Sequence, residues 1–217
     1  MGEPEFVGVT RDAYDAVAVQ YAELFRDALH GAPLDRAMLG VFAEFVLAGG
    51  GGTVADVGCG PGRLTGHLRS LGLDVVGTDL SPEMIRLARE AHPDVRFEVG
   101  SMTGLPMPDG GLGGVLAWYS VIHTPPERLP EVFGEFRRVL PPGGPLLLGF
   151  FAGDDPGRLA EAFDHKVTVA YRLSPEGVEE LLCEAGFEVT ARLVREPGEG
   201  ERFLQAALLA RRGGRRP

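Results

Sequence analysis

Apolar positions along the chain fall into two regimes. Over residues 11–29, Tyr14, Val17, Tyr21, Leu24 and Ala28 recur at three- and four-residue spacing, which predicts a helix with one apolar face. Residues 34–48, LDRAMLGVFAEFVLA, predict a second helix, and the glycine run 49–52 ends it. From Thr53 onward short apolar runs alternate with amphipathic ones. TVADVG, LDVVGTD, DVRFEVG, LGGVLAW and GPLLLGFF read as five strands. Between them, RLTGHLRSL, the segment opened by Ser81-Pro82-Glu83, and residues 125–140 read as helices. Ser81 stands at an N-cap, Pro82 at the first helical position, and Glu83 supplies a first-turn acid. Thr124 and Glu127 have capping-box spacing at the head of 125–140. This rhythm calls for a mainly parallel sheet with helices on both faces.

The rhythm changes after residue 151. Residues 152–173 carry the weakest pattern and are expected to form an insertion over the carboxyl edge of the sheet. Ser174-Pro175-Glu176 starts a helix that Gly186 ends. FEVTARLV and RFLQAALLA follow as strands joined by REPGEGE, a link short enough for an antiparallel hairpin. The expected organisation is a helical segment, 1–52, on a core, 53–217, with no second domain.

Composition narrows the setting. A chain of 217 residues with 44% hydrophobic and 24% charged residues suits one globular α/β domain. No apolar run approaches the ~20 residues of a membrane span, and MGEPEFVGVTRD lacks a signal-peptide pattern. Two cysteines, Cys59 and Cys183, cannot make a disulfide framework, so a cytoplasmic setting is expected. A net charge of −10 disfavours nucleic-acid and anionic-membrane partners. The basic RRGGRRP at 211–217 reads as a solvated tail.

The chemistry concentrates at VGCGPGR. Gly58, Gly60 and Gly62 lie between a strand and a helix, where glycine permits positive φ and lets backbone approach a ligand. The dinucleotide turn needs G-x-G-x-x-G, but the sixth position here is Arg63. No Gly-Lys-Ser/Thr follows, so the phosphate-loop pattern fails too. Asp79 ends the second strand, 21 residues after Gly58, where a carboxylate accepts from ribose hydroxyls. This combination suits a nucleoside without pyrophosphate.

DVGCGPGRLTGHL, VVGTDLSPEMIRLARE and VLPPGGPLLL together resemble the class I, Rossmann-like methyltransferases that use S-adenosylmethionine, and within them the type 11 small-molecule group. The resemblance runs over residues 53–151. It implies a three-layer α/β/α sandwich with a mostly parallel seven-stranded sheet and a C-terminal antiparallel strand. It also implies methyl transfer to a small-molecule acceptor, leaving S-adenosylhomocysteine. Gly58, Cys59 and Gly60 then form the turn against the methionine part, and Asp56 helps hold that turn. Asp79 takes the ribose, Leu80 and Met84 flank the adenine, Ser101 and Met102 stand at its edge, and Trp118 lines the methionine side. The adenine-edge position often carries Asp in the family; Ser101 departs from that.

Methyl transfer is an in-line displacement in which the protein aligns the acceptor and, where needed, takes its proton. His123, in WYSVIHTPPE, follows the fourth strand and precedes a helix whose N-terminus disfavours its protonated form, so it is the expected base or orienting group. Tyr14 and Tyr21, seven residues apart, share a helix face; they pack the core or, as in similar family lids, turn their rings to the cationic ligand. Tyr119, His165 and Tyr171 are further substrate-side residues, while His30, His67 and His92 read as surface. Cys59 reads as a small filler rather than a nucleophile, and Cys183 as core. No H-x-x-x-H or C-x-x-C spacing calls for a metal. A methyltransferase of macromolecules is a weaker reading: the Asn/Asp-Pro-Pro-aromatic motif is replaced by Trp118-Tyr119-Ser120-Val121. A cofactor-binding protein without transferase activity is the other alternative. Whether the chain is a monomer or a homodimer is not legible.

Overall fold

The computed structural model describes residues 4–155 and 157–214; residues 215–217 of the basic tail lie outside them. Five parallel strands, β1 (Val54–Val57), β2 (Val75–Asp79), β3 (Arg96–Val99), β4 (Gly114–Trp118) and β5 (Pro145–Phe151), carry most of one sheet. Two further strands, β8 (Phe187–Arg195) and β9 (Gln205–Arg212), complete it in the order β3-β2-β1-β4-β5-β9-β8. The expected seven-stranded, three-layer arrangement is therefore present. β9 runs antiparallel to both neighbours and sits inside the sheet, so the sequence-terminal strand is not an edge. β1 and β4 are buried at every position, as a strand covered on both faces must be. Edge strands β3 and β8 instead mix buried and exposed positions.

Each face of the sheet carries its own core. Leu116, Leu147 and Leu209 stand in one cross-strand row. Against that face α2 (Pro33–Ala48) packs Leu39, Phe42, Ala43 and Val46, a helical stripe. Val115, Leu146, Leu148 and Leu208 point the other way. They meet Phe133 and Phe136 of α5 (Leu129–Val139) and Val178 and Leu182 of α6 (Pro175–Glu184). Each fully buried Phe or Leu there contributes about 1.5–3 kcal/mol.

Helix starts follow the expected chemistry in two places and depart from it in a third. Ser81 Oγ accepts from Met84 N at 3.0 Å at the head of α4 (Pro82–Ala91), and Ser174 Oγ accepts from Gly177 N at 3.1 Å at the head of α6. No box forms at Thr124: its hydroxyl donates to Met102 Sδ at 3.7 Å. Pro125 and Pro126 remove two amides that a cap would serve, residues 126–128 form a 3₁₀ turn, and α5 begins only at Leu129.

Other expectations are corrected as well. The first helix, α1, is Glu5–Leu24 rather than 11–29; Leu24 is 71% exposed, and residues 25–28 are exposed too, so nothing anchors further turns. Cys183 is exposed on α6, not core. His67 and His92 are half-buried, and only His30 of that trio is exposed. Residues 152–173 contain a two-stranded antiparallel sheet, β6 (Ala160–Asp164) and β7 (Val169–Leu173). β7 packs on the turn at Val121–His123, which puts this insertion beside the carboxyl edge.

Candidate functional site

The carboxyl ends of β1, β2 and β4 meet at one cavity, where ligands of such sheets bind. After β1 the chain turns through Gly58, Gly60 and Gly62, with φ of 73°, 53° and 81°. A side chain at Gly58 would put its Cβ 2.2 Å from Ser120 Cβ, whereas one at Gly60 would meet nothing within 4 Å. The turn therefore jams against β4's end at one glycine and stays open at the next. Beneath it, Asp56 is buried and accepts from Thr65 Oγ1 at 2.6 Å, tying β1 to α3 (Arg63–Ser70). Burial pushes its carboxyl up to about 6.

Asp79 closes β2 at the cavity wall. Its Oδ2 accepts from Gly60 N at 2.8 Å and its Oδ1 from Ser81 N at 2.9 Å. Burial raises its carboxyl, while these amides oppose the shift. Each oxygen keeps a second lone pair, so the group can still accept from a ligand's hydroxyls. Ser120 Oγ, buried in the same wall, has no hydrogen-bond partner among the described residues. An open glycine, a carboxylate with spare acceptor capacity and an unsatisfied hydroxyl together fit a polyhydroxylated ligand.

At the end of β4, Tyr119 takes φ 54°, a left-handed conformation costing about 1–2 kcal/mol for a residue with a Cβ. Its amide donates to Gly149 O at 2.7 Å and its hydroxyl to Gln205 Oε1. This kink delivers Ser120 and His123 to the cavity.

His123 is held from two sides. Its Nδ1 lies 2.9 Å from Val169 O, which only accepts, so the proton is on Nδ1. Nε2 is then the acceptor for the Tyr14 hydroxyl, 2.8 Å away. Burial drives the imidazole down to about 4, and neighbouring His165 adds to this. The ring is neutral, as expected, but because of burial rather than a helix N-terminus. Desolvation also raises the Tyr14 phenol well above its ordinary range, so it stays protonated.

α1 forms the opposite wall. Thr10, Tyr14 and Tyr21 line the cavity from one helix face, and Tyr14 and Tyr21 meet edge to face at 5.7 Å. Asp15 Oδ1 accepts from Ser81 Oγ at 2.5 Å and from Glu83 N at 3.1 Å, which fastens α1 to the head of α4.

Most of the residues expected from sequence converge here: Tyr14, Tyr21, Gly58, Gly60, Asp79 and Leu80, with Met84, Met102, Trp118, Tyr119 and His123, line a cavity of about 80 Å³. Gly58, Gly60, Tyr21 and Trp118 also border a groove of about 700 Å³ between α1, α3 and α4, so the two spaces share a wall. Others do not reach the cavity. Asp56 lies beneath the turn, and Cys59 packs with Ile85, Ala88, Val95 and Phe97, its thiol raised by burial. Ser101 Oγ pairs with Thr103 Oγ1 at 2.9 Å, and Gly100 and Met102 line the wall around it. His165 stacks edge-on to His123 at 5.3 Å, one layer out, and Tyr171 packs against the main core. Sequence reasoning missed Thr10, Asp15, Gly100 and Ser120; Thr10 was visible as the residue one turn before Tyr14. Among the described residues, no His, Cys, Asp and Glu side chains cluster to hold a metal.

Comparison with known proteins agrees with this geometry. Residues 54–144 match the family described as a methyltransferase domain. The malonyl-[acyl-carrier protein] O-methyltransferase of Pectobacterium atrosepticum is 29% identical over 133 residues, 60% of this chain and 52% of that relative. The demethylmenaquinone methyltransferase of Chlorobaculum parvum is 32% identical over 161 residues, 62% of this chain and 65% of that one. This chain thus spans between about half and two thirds of these relatives' length. A solved structure of the 1,6-didemethyltoxoflavin-N1-methyltransferase of Burkholderia thailandensis, with bound 1,6-didemethyltoxoflavin and S-adenosylhomocysteine, shares the fold. Its TM-score is 0.77 at 20% identity, covering 99% of this chain and 92% of that one.

Proposed function

Residues 54–144 being a domain of the class I, S-adenosylmethionine-dependent methyltransferases, we propose that this chain transfers a methyl group to a small-molecule acceptor. One observation carries the reading. The glycine turn, Asp79 and the neutral Tyr14–His123 pair wall a single cavity at the sheet's carboxyl edge.

The bound donor supplies an electrophilic methyl on a sulfonium. Gly58, Gly60 and Asp79 are the residues to hold its methionine and ribose parts, and Leu80, Met84 and Met102 its adenine. Tyr14 and Tyr21, on a helix fastened only at its Asp15 and Tyr14 contacts to α4 and His123 among those described above, act as a lid. Their electron-rich rings suit a cationic ligand.

His123 serves orientation rather than full proton uptake. An acceptor phenol of pKa ~10 is about 6 units above an imidazole near 4, a gap of roughly 8 kcal/mol. His123 Nε2 instead holds the Tyr14 proton, which leaves the phenol oxygen's lone pairs free to accept from the acceptor's O–H or N–H. Tyr119 completes the acceptor side, with His165 behind His123. No helix is long and apolar enough to cross a membrane, and a soluble acceptor is the proposal.

The test has two stages. Calorimetry with S-adenosylhomocysteine reports binding; incubation of S-adenosylmethionine with an acceptor panel reports product release. Binding with turnover on a small molecule supports the proposal. Binding with no turnover on any small molecule, but turnover on protein or nucleic acid, refutes it. Binding with no turnover at all favours a cofactor-binding protein that is not a transferase.

A further inference from the structure

Arg63 is the first residue of α3, directly after the glycine turn. Its side chain is half-buried and borders the groove shared with the cavity, alongside Tyr21, Gly58, Gly60 and Trp118. The other arginines on that groove, Arg26 and Arg69, are exposed to solvent. The remaining half-buried arginines of the fold are satisfied by named partners: Arg138 by Glu135 and Asp109, Arg172 by Asp154 and Glu161, Arg195 by Glu201 and Asp35. Arg63 makes no hydrogen bond or ion pair among the described residues; Asp56, Asp35, Tyr21 and Tyr119 act on it only through space.

A guanidinium withdrawn from water without a partner is a cost unless something else satisfies it. Its five donors in a planar fork match a carboxylate. We propose that Arg63 binds the α-carboxylate of the donor's methionine moiety. The inference rests on the methyltransferase reading above. Three placements support it. Arg63 shares its groove with the two glycines assigned to the methionine end. The ribose carboxylate, Asp79, lies on the far side of the turn. The net charge around Arg63 includes Asp56 and Asp35, which would be left facing a ligand carboxylate without this cation.

The experiment compares two probes by calorimetry: S-adenosylhomocysteine, which has the carboxylate, and 5′-methylthioadenosine, which lacks the amino-acid portion. Arg63→Gln is expected to weaken S-adenosylhomocysteine about 10- to 100-fold and leave methylthioadenosine within about twofold, the size of one charge-assisted hydrogen-bonded contact. Arg63→Lys is expected to recover part of the loss. Equal weakening of both probes means Arg63 only shapes the turn, and overturns the proposal. So does unchanged S-adenosylhomocysteine binding; if the acceptor's KM then rises, the cation serves an acceptor carboxylate instead. Thermal melting of both variants checks that the fold is kept. If the unaltered protein binds neither probe, the methyltransferase reading itself fails, a result distinct from a selective failure of Arg63.

Discussion

Gly58→Ala isolates what the glycine turn requires. Two costs add at this position. The backbone sits at φ 73°, where a Cβ costs about 1–2 kcal/mol. The added methyl would also lie 2.2 Å from Ser120 Cβ, against an ordinary carbon contact of about 3.5–4 Å. Relieving that overlap needs the turn or the end of β4 to move by roughly 1.5 Å, an overpacking cost of about 1–3 kcal/mol. Urea unfolding is therefore expected to show a loss of about 2–5 kcal/mol. Ser120→Gly separates the two. Ser120 has φ −101°, so glycine there adds only the usual loss of chain restraint, up to about 1 kcal/mol. In that background Gly58→Ala should cost only the backbone part, leaving a favourable coupling of about 1–3 kcal/mol in the double-mutant cycle. S-adenosylhomocysteine affinity should follow the same order, because the displaced turn is the ligand's wall. A coupling near zero would refute the steric argument, and Gly58→Ala within about 0.5 kcal/mol of the parent would refute both parts.

Two further outcomes follow from the site. Asp79→Asn keeps one acceptor oxygen but turns an amide group toward Gly60 N or Ser81 N, so calorimetric affinity for S-adenosylhomocysteine should fall about 10- to 100-fold; a change under about threefold contradicts the ribose assignment. His123 is neutral in the fold down to about pH 4, whereas the unfolded chain protonates it near 6.5. The unfolded state thus binds the extra proton in that window, and stability is full above about pH 6.5 and lost as pH falls toward 4, by about 3 kcal/mol at most. Urea unfolding at about pH 7.5 and pH 4.5 should show a larger acid loss in the parent than in His123→Gln; equal losses would place the acid sensitivity elsewhere.

The sheet was readable because its strands are apolar throughout and its turns carry glycine, Ser-Pro or short charged links. The same logic found the cavity: Gly58, Gly60, Asp79 and His123 all lie at the carboxyl ends of strands, and strand ends can be placed from periodicity. What periodicity could not give was side-chain direction across a turn. Tyr119, φ 54°, rotates the chain after β4, so the partners of His123 depend on a kink no spacing reveals. Asp15 looked like one more solvated acid on α1, yet it meets Ser81 and Glu83, 66 and 68 residues away. Thr124 failed as a cap because two prolines outweighed its spacing. Residues 152–173 lacked a legible pattern because β6 and β7 form a small, half-exposed sheet whose side chains need not alternate cleanly.

The position of β9 also governs how the chain emerges during synthesis. β5 finds its partner only 54 to 66 residues later. At about 5–20 residues per second the wait lasts roughly 3–13 seconds on the ribosome. Throughout it, the Leu146–Phe150 edge presents unpaired amides and carbonyls on an apolar strand. Such an edge templates pairing with other chains. The nascent protein is therefore most prone to aggregate just before β9 appears, and its yield in cells depends on whatever shields that edge in those seconds.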